Sequence, residues 1–363
     1  MKILSIDIGG TKILAALARR SGSTWVLEGR VSLASRDVQG LPDAVDRILA
    51  APGLHDAVTQ SPIDGVAIGA AGPVQDNVAR LTNLSWDVDG PALAARLRSQ
   101  GGRDLGRGSA FSQKNSVPVL VMNDLAAHGW GLSGLPPGTK KTLHPGTPKA
   151  TGHEALLAVG TGVGEAILVW NGSMHTPLAS EGSHASFAPV TSGDVKLLEF
   201  VWRKHHHVSQ ERMLGGRDGF RNLIDFHLEN RRLREDSALA LACMDQEDCG
   251  PALLSAAGKG DADALGILHW WIRLVGAEAS NLVLKGLATG GLWLGGGVIA
   301  RLLDLGLLDQ RSLWDAFMRG FSAKGRFKEL LLSTPIHVVS DPDNALRGAA
   351  EGLWRASAGL PPS

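Results

Sequence analysis

Three glycine-rich segments mark places where a backbone can approach an anion. The first is Asp7-Ile8-Gly9-Gly10-Thr11-Lys12. With no Cβ atoms at Gly9 and Gly10, amide N–H groups can reach phosphate oxygens, while Thr11 and Lys12 add a hydroxyl and a positive charge. Asp7 is placed to hold Mg2+ through water, since magnesium takes few carboxylates and keeps several waters. An ordinary hairpin turn has the same composition, so this segment alone leaves both readings open. The second segment is Gly160-Thr161-Gly162-Val163-Gly164, and the third is Gly295-Gly296-Gly297. A fourth feature is the pair Asn123-Asp124, which follows the β-branched run Val117–Met122. Open α/β sheets bind ligands at the carboxyl ends of their strands, and a carboxylate there can act as a general base. Asp just ahead of a helix is also a common N-cap. The two roles are compatible.

These residues need elements to carry them. Lys2–Ile6 reads as a strand, Asp7–Lys12 as its glycine turn and Ile13–Ala18 as the returning strand. The same unit recurs as Glu154–Val159, the turn Gly160–Gly164 and Glu165–Trp170, which points to a duplicated α/β unit rather than a short repeat. Further strands are expected at Ile63–Gly69, Val117–Met122, Leu292–Leu294 and Ile336–Val339. Helical spacing of apolar residues predicts helices at Pro42–Ala50, Pro91–Arg98, Leu125–Leu132, Asp194–His206, Gly219–Leu228, Ser237–Met244, Ala262–Leu284 and Asn344–Arg355. Gly101–Asn115 and Ser133–Gly152, rich in Gly, Ser, Pro and charge, read as loops.

Composition narrows the class. The chain has 363 residues, 44% of them hydrophobic and 20% charged, enough for two globular cores. Lys plus Arg and Asp plus Glu balance at 36 each, so no global field draws the protein to nucleic acid or an anionic membrane. Two cysteines, Cys243 and Cys249, supply neither a disulfide framework nor a zinc quartet, and are expected to be reduced thiols in a cytoplasmic protein. The N-terminus meets Asp7 and two glycines before a signal-peptide apolar region can form. The apolar tract Asn281–Leu308 carries Lys285, Arg301 and Asp304, which excludes a spanning helix.

The loops together resemble those of the hexokinase–actin–heat-shock ATPase superfamily. Asp7–Lys12 and Gly160–Gly164 are similar to its two phosphate loops, and Gly295–Gly297 to its adenosine-contacting turn. The nearest resemblance is to bacterial glucokinases that lack a zinc site. It runs through Thr82-Asn83-Leu84-Ser85-Trp86, Asn123-Asp124 and Ser180-Glu181-Gly182-Ser183-His184-Ala185-Ser186-Phe187-Ala188-Pro189. It continues through Ser209-Gln210-Glu211-Arg212, Lys324-Gly325-Arg326-Phe327-Lys328 and the segment Asp341–Gly352. The resemblance implies an α/β, two-domain actin-like ATPase (ribonuclease H-like) fold with a ligand cleft between the domains. Residues 1–134, completed by a C-terminal helix over 341–363, would form the smaller domain and 135–340 the larger.

It further implies ATP-dependent phosphorylation of glucose at the 6-hydroxyl, with Mg2+, no structural zinc, no nucleic-acid or membrane partner, and a homodimer. Glu181, His184 and Glu211 would hold sugar hydroxyls, with Asn123 and Asp124 completing the shell and Asp124 as base. Gly9, Gly10, Thr11, Lys12, Gly160, Thr161, Gly162, Gly295, Gly296 and Gly297 would hold the nucleotide. The residue chemistry agrees, because a ring of hydroxyls needs acceptors and a few donors. Rival readings are a kinase of mannose, glucosamine or fructose, and a sugar-sensing or nucleotide-binding protein on the same fold. Departures from the family are Ser186, where an acid is frequent, and Gly215–Gly219, which replaces a Ser-Gly-Pro-Gly-like stretch. His205-His206-His207 invites a metal reading, but adjacent histidines on a helix diverge, which favours a solvated face.

Overall fold

The computed structural model describes residues 1–60, 62–81, 84–100, 111, 117–244 and 246–359. The chain divides into two compact units. One comprises Met1–Thr139, Thr176–Ala179 and Asp341–Ser363; the other comprises Lys140–His175 and Ser180–Ser340.

The strands of the first unit are β1 (Lys2–Ile8), β2 (Lys12–Ser21), β3 (Thr24–Ala34), β4 (Gly65–Ala70), β5 (Val74–Gln75), β6 (Val78–Ala79), β7 (Val88–Asp89) and β8 (Val119–Asn123). The main sheet is ordered β3-β2-β1-β4-β8, and β5, β6 and β7 form a small separate one. β1 pairs antiparallel with β2 and parallel with β4, which in turn pairs parallel with β8. β4 is buried along its whole length, as parallel strands covered on both faces must be. One face packs on Leu41, Val45 and Ile48 of the helix Leu41–Ala50. On the other lies the helix Asn344–Ser357, where the Ser5 hydroxyl donates to the Leu346 carbonyl at 2.6 Å.

Register decides what sits at the sheet's working end. Ile8, Ala70 and Asn123 are level across the three parallel strands. The first glycine turn and the Asn123-Asp124 pair therefore emerge from the same edge, where such sheets take ligands. Asn77, in the left-handed conformation with φ 62°, bonds the outer edge of β8. Its Nδ2 donates to Val119 O at 3.0 Å and its Oδ1 accepts from Val121 N at 2.6 Å.

The later strands are β9 (Lys140–His144), β10 (Glu154–Val159), β11 (Val163–Trp170), β12 (His175–Ser180), β13 (Gly291–Gly295) and β14 (Ile336–Val339). Five of them run in the order β11-β10-β13-β14-β9. β10 pairs antiparallel with β11 and parallel with β13, and β13 pairs parallel with β14. This repeats the connections of β1 with β2 and β4. The core of the second unit gathers on the 25-residue helix Ala262–Gly286, whose Trp271 is fully buried. Among the described residues no helix is long and apolar enough to cross a membrane.

Two expectations are corrected. Ser133–Gly152, read as a loop, contains β9, which lies antiparallel on β14; a short polar edge strand lacks the apolar alternation that betrays inner strands. The helix predicted to reach His206 stops at Trp202, so His205-His206-His207 is not helical. Of the expected loop Gly101–Asn115 only Phe111 falls within the described residues, and Thr82-Asn83 lies outside them.

Candidate active site

The first glycine turn is shaped by its own backbone. Gly9 N donates to Lys12 O at 3.0 Å, and Ser35 ties the turn down through its amide to Thr11 O at 3.1 Å and its hydroxyl to Gly9 O at 2.7 Å. Thr11 and Lys12 remain exposed, free to meet a ligand. Beneath them, desolvation lifts the Asp7 carboxyl to about 6, with Lys12 opposing. A carboxylate that is costly to ionise gains from a nearby cation, as a magnesium partner would. Asp7 Oδ1 and Asp124 Cα each lie 3.7 Å from where a Cβ on Gly69 would stand. The two acids therefore flank one glycine of β4.

The sequence left the cap of the helix Asp124–Gly131 open between two roles for Asp124. The geometry assigns the cap to Asn123 instead. Asn123 is extended, with φ −61° and ψ 144°, and its Oδ1 accepts from Leu125 N at 2.9 Å and Ala126 N at 3.2 Å. Its Nδ2 donates to Gly72 O at 3.0 Å. Asn123 is thus committed to backbone and buried. Asp124 is the first helical residue, accepting from its neighbour Leu125 N at 2.9 Å. Asn344 anchors the same helix by donating to His128 O at 2.7 Å.

In the second unit three sequence-predicted residues come together. His184 Nε2 lies 3.6 Å from Glu181 Oε2, and its Nδ1 lies 3.5 Å from Glu211 Oε2. The first pair is local: a single 3-10 turn, Gly182–His184, folds His184 N onto Glu181 O at 3.0 Å. The second pair depends on a distant segment. Phe187 N donates to Val208 O at 2.9 Å and Gln210 N to Ala185 O at 3.0 Å, zipping the two strings side by side. Ser209 then caps the helix Gln210–Leu214, accepting from Arg212 N at 3.2 Å, and sets Glu211 on its first turn. All three side chains are partly exposed, leaving polar atoms available to a ligand.

The second glycine turn adjoins this cluster. Gly160 N donates to Gly162 O at 2.9 Å, and the segment Gly215–Arg217 backs the turn through Gly216 N to Gly160 O at 2.8 Å and Arg217 N to Thr161 O at 3.2 Å. A Cβ on Gly162 would lie 2.4 Å from Glu211 Oε1. Gly162→Ala should therefore swing Glu211 away from His184 and weaken the binding of any ligand held by Glu211 about tenfold, the equivalent of one bond to a charged group. Calorimetry on the single and double variants checks this: added to Glu211→Ala, the change at 162 should cost little more. In the third segment Gly295 ends β13, and Gly296, at φ 88°, caps the helix Gly297–Asp304 against the end of β10.

Sequence reasoning missed two residues. His207 donates through Nε2 to the His184 carbonyl at 2.8 Å, bracing the turn from outside. Its signal was the histidine run, in which His205 Nδ1 also accepts from Arg212 Nη1 at 3.1 Å. Among the described residues no group of three or more His, Cys, Asp or Glu is arranged to hold a metal ion. The second missed residue, Glu165, is buried beneath Gly182.

A family model described as Glucokinase matches residues 4–105 and 106–355. A glucokinase of Trichormus variabilis is 33% identical over 365 residues, spanning 96% of this chain and 97% of its own length. One from a Synechocystis species is 32% identical over 368 residues, spanning 96% and 97%. The solved glucokinase from an Antarctic psychrotroph superposes with a TM-score of 0.75 at 26% identity, covering 98% of this chain and 99% of its own. A ROK family glucokinase from Streptomyces griseus, in complex with glucose and AMPPNP, superposes at 0.61 and 21% identity, covering 97% and 98%.

Proposed function

The chain belongs to the glucokinase family, and from that membership we propose that Glu181, His184 and Glu211 hold glucose while Asp124 takes the proton of its 6-hydroxyl. The fold is the two-domain actin-like ATPase fold, and the chain is an ATP:glucose phosphotransferase. The observation that carries the site assignment is His184 standing between two carboxylates, one of them against Gly162 of a phosphate loop. A sugar shell and a phosphate loop that share a wall suit transfer from one to the other.

In the proposed reaction the 6-hydroxyl oxygen attacks the γ-phosphorus of ATP and its proton passes to Asp124. The bond between γ-phosphorus and the β–γ bridging oxygen breaks, and ADP leaves. Such a transfer asks the protein mainly for positioning and charge stabilisation. Gly9, Gly10, Gly160 and Gly162 offer bare backbone to phosphates, Thr11 and Lys12 a hydroxyl and a charge, and Gly295–Gly297 room for the nucleoside. Asp7 would hold Mg2+ through water, the ion neutralising phosphate charge. Asn123, spent on the cap and on Gly72, shapes the sugar shell by fixing Asp124 as much as by meeting the sugar. We also infer a cytoplasmic enzyme feeding glycolysis and acting as a homodimer, as the family resemblance implies.

The test is ADP release by the purified protein across a sugar panel, with ATP and alternative phosphate donors tried separately. A site whose polar groups pair with hydroxyls rejects sugars that lack them, because those groups are left unpaired. Glucose should lead its epimers and its deoxy analogues. A lead for fructose or an amino sugar would change the substrate assigned here and keep the kinase chemistry.

A further inference from the structure

Beneath the glucose-binding turn lie two carboxyls that the reaction does not use. Glu165 on β11 and Glu278 on the helix Ala262–Gly286 are each 1% exposed, and their carboxyls face one another within hydrogen-bonding reach. Glu165 Oε1 and Glu278 Oε1 are both buried and without a hydrogen-bond partner. If both groups were ionised, two Oε1 acceptors would confront each other in a dry site with no hydrogen-bond donor between them. One proton placed between them satisfies both oxygens.

The remaining neighbours favour keeping the charge on Glu278. Lys285 Nζ lies 3.6 Å from Glu278 Oε1, and Asn281 Nδ2 donates to Glu278 Oε2 at 2.8 Å. Asn281 in turn accepts from Lys324, the opening residue of the Lys324–Lys328 string singled out in the sequence and given no role so far. The Lys324 ammonium is itself disfavoured by burial, with Glu278 supporting it. Toward the sugar, Glu165 Oε2 would stand 2.2 Å from a Cβ on Gly182. It thus presses on the backbone between Glu181 and His184, the titratable groups on that side.

We propose that Glu165 and Glu278 share one proton, and that this singly protonated strut is the positioning element that sets the turn Glu181–His184 for glucose. The proposal rests on the reading of Glu181 and His184 as glucose ligands. Burial, then Glu278, raises the Glu165 carboxyl to about 8, which places the loss of the shared proton in the mildly alkaline range. The sign follows by linkage. A glucose-binding form that needs the proton must take it up above that pH, so the dissociation constant climbs with pH, by up to roughly tenfold per unit.

Glucose affinity measured by calorimetry from pH 6.5 to 9.5, with the ATP-analogue affinity alongside, tests the strut. The wild type should weaken for glucose several-fold above pH 8 while nucleotide affinity stays level. Glu165→Gln, which mimics the protonated acid, should keep the neutral-pH glucose affinity within about threefold and lose the alkaline limb. Glu278→Gln, which ends the sharing from the other side, should lose the limb as well and stands in if Glu165→Gln fails to fold. A flat wild-type profile, or an unchanged limb in whichever variant folds, overturns the strut. Glu181→Ala separates the two levels: if it leaves glucose affinity intact at every pH, the ligand assignment has failed. If it abolishes affinity while the limb persists in Glu165→Gln, only the strut has.

Discussion

Replacing Asp124 with alanine should lower kcat by about 10²–10⁴, the range for removal of a positioned general base, and leave glucose and nucleotide binding in place. The structure sharpens this expectation by separating catalysis from capping. Had Asp124 been the N-cap, the variant would lose about 1 kcal/mol of stability and a drop in turnover would be ambiguous. The cap is Asn123, and Asp124 adds to the helix an acid in its first turn, worth about 0.3–1 kcal/mol, and an acceptor for its neighbour Leu125 N. Asp124→Ala should therefore melt close to the wild type and turn over poorly. Asn123→Ala should show the reverse balance, losing about 0.5–2 kcal/mol of stability and retaining more of its turnover. Melting temperature and steady-state kinetics on the two variants settle the assignment. A nearly fully active Asp124→Ala enzyme would remove Asp124 from the chemistry.

Glu181→Ala is expected to weaken glucose binding by about 10²–10⁴ and to leave nucleotide binding close to normal. A hydrogen bond to a charged group contributes about 1.5–3 kcal/mol, or roughly 10- to 150-fold each, and a bidentate carboxylate loses two at once. The variant also frees His184 from one of its two flanking acids, so imidazole orientation suffers with it. The turn itself should survive, because the backbone bond from His184 N to Glu181 O and the brace from His207 do not involve the Glu181 side chain. Separate titrations with glucose and an ATP analogue decide the matter. If nucleotide affinity fell and glucose affinity held, Glu181 would belong to the phosphate end of the site.

Local chemistry was legible in the sequence where a single segment supplies it. The glycine turns follow from the absence of Cβ atoms beside a strand end, and the recurrence of strand, turn and strand near residues 10 and 162 foretold the matching connections of β1 and β10. The inner strands and the amphipathic helices announced themselves by periodicity, because burial on one or both faces dictates residue type. The Glu181–His184 string also carries its own turn, since a one-turn helix needs only neighbours in sequence.

What the tertiary structure alone decided is everything that joins segments or removes water. Glu211 reaches His184 only because residues 185–187 and 208–210 bond across the gap, a pairing with no local signature. Whether Asn123 or Asp124 caps the helix turned on the backbone dihedrals of Asn123, set where β8 ends against β4. β9 is a strand because β14 offers it an open edge, its own residues being polar enough for a loop. Glu165 reads in sequence as one polar residue in a returning strand. Only burial beside Glu278 and beneath Gly182 turns it into an acid that holds its proton, because the cost of a charge depends on the solvent it has lost and not on the residues next to it in the chain.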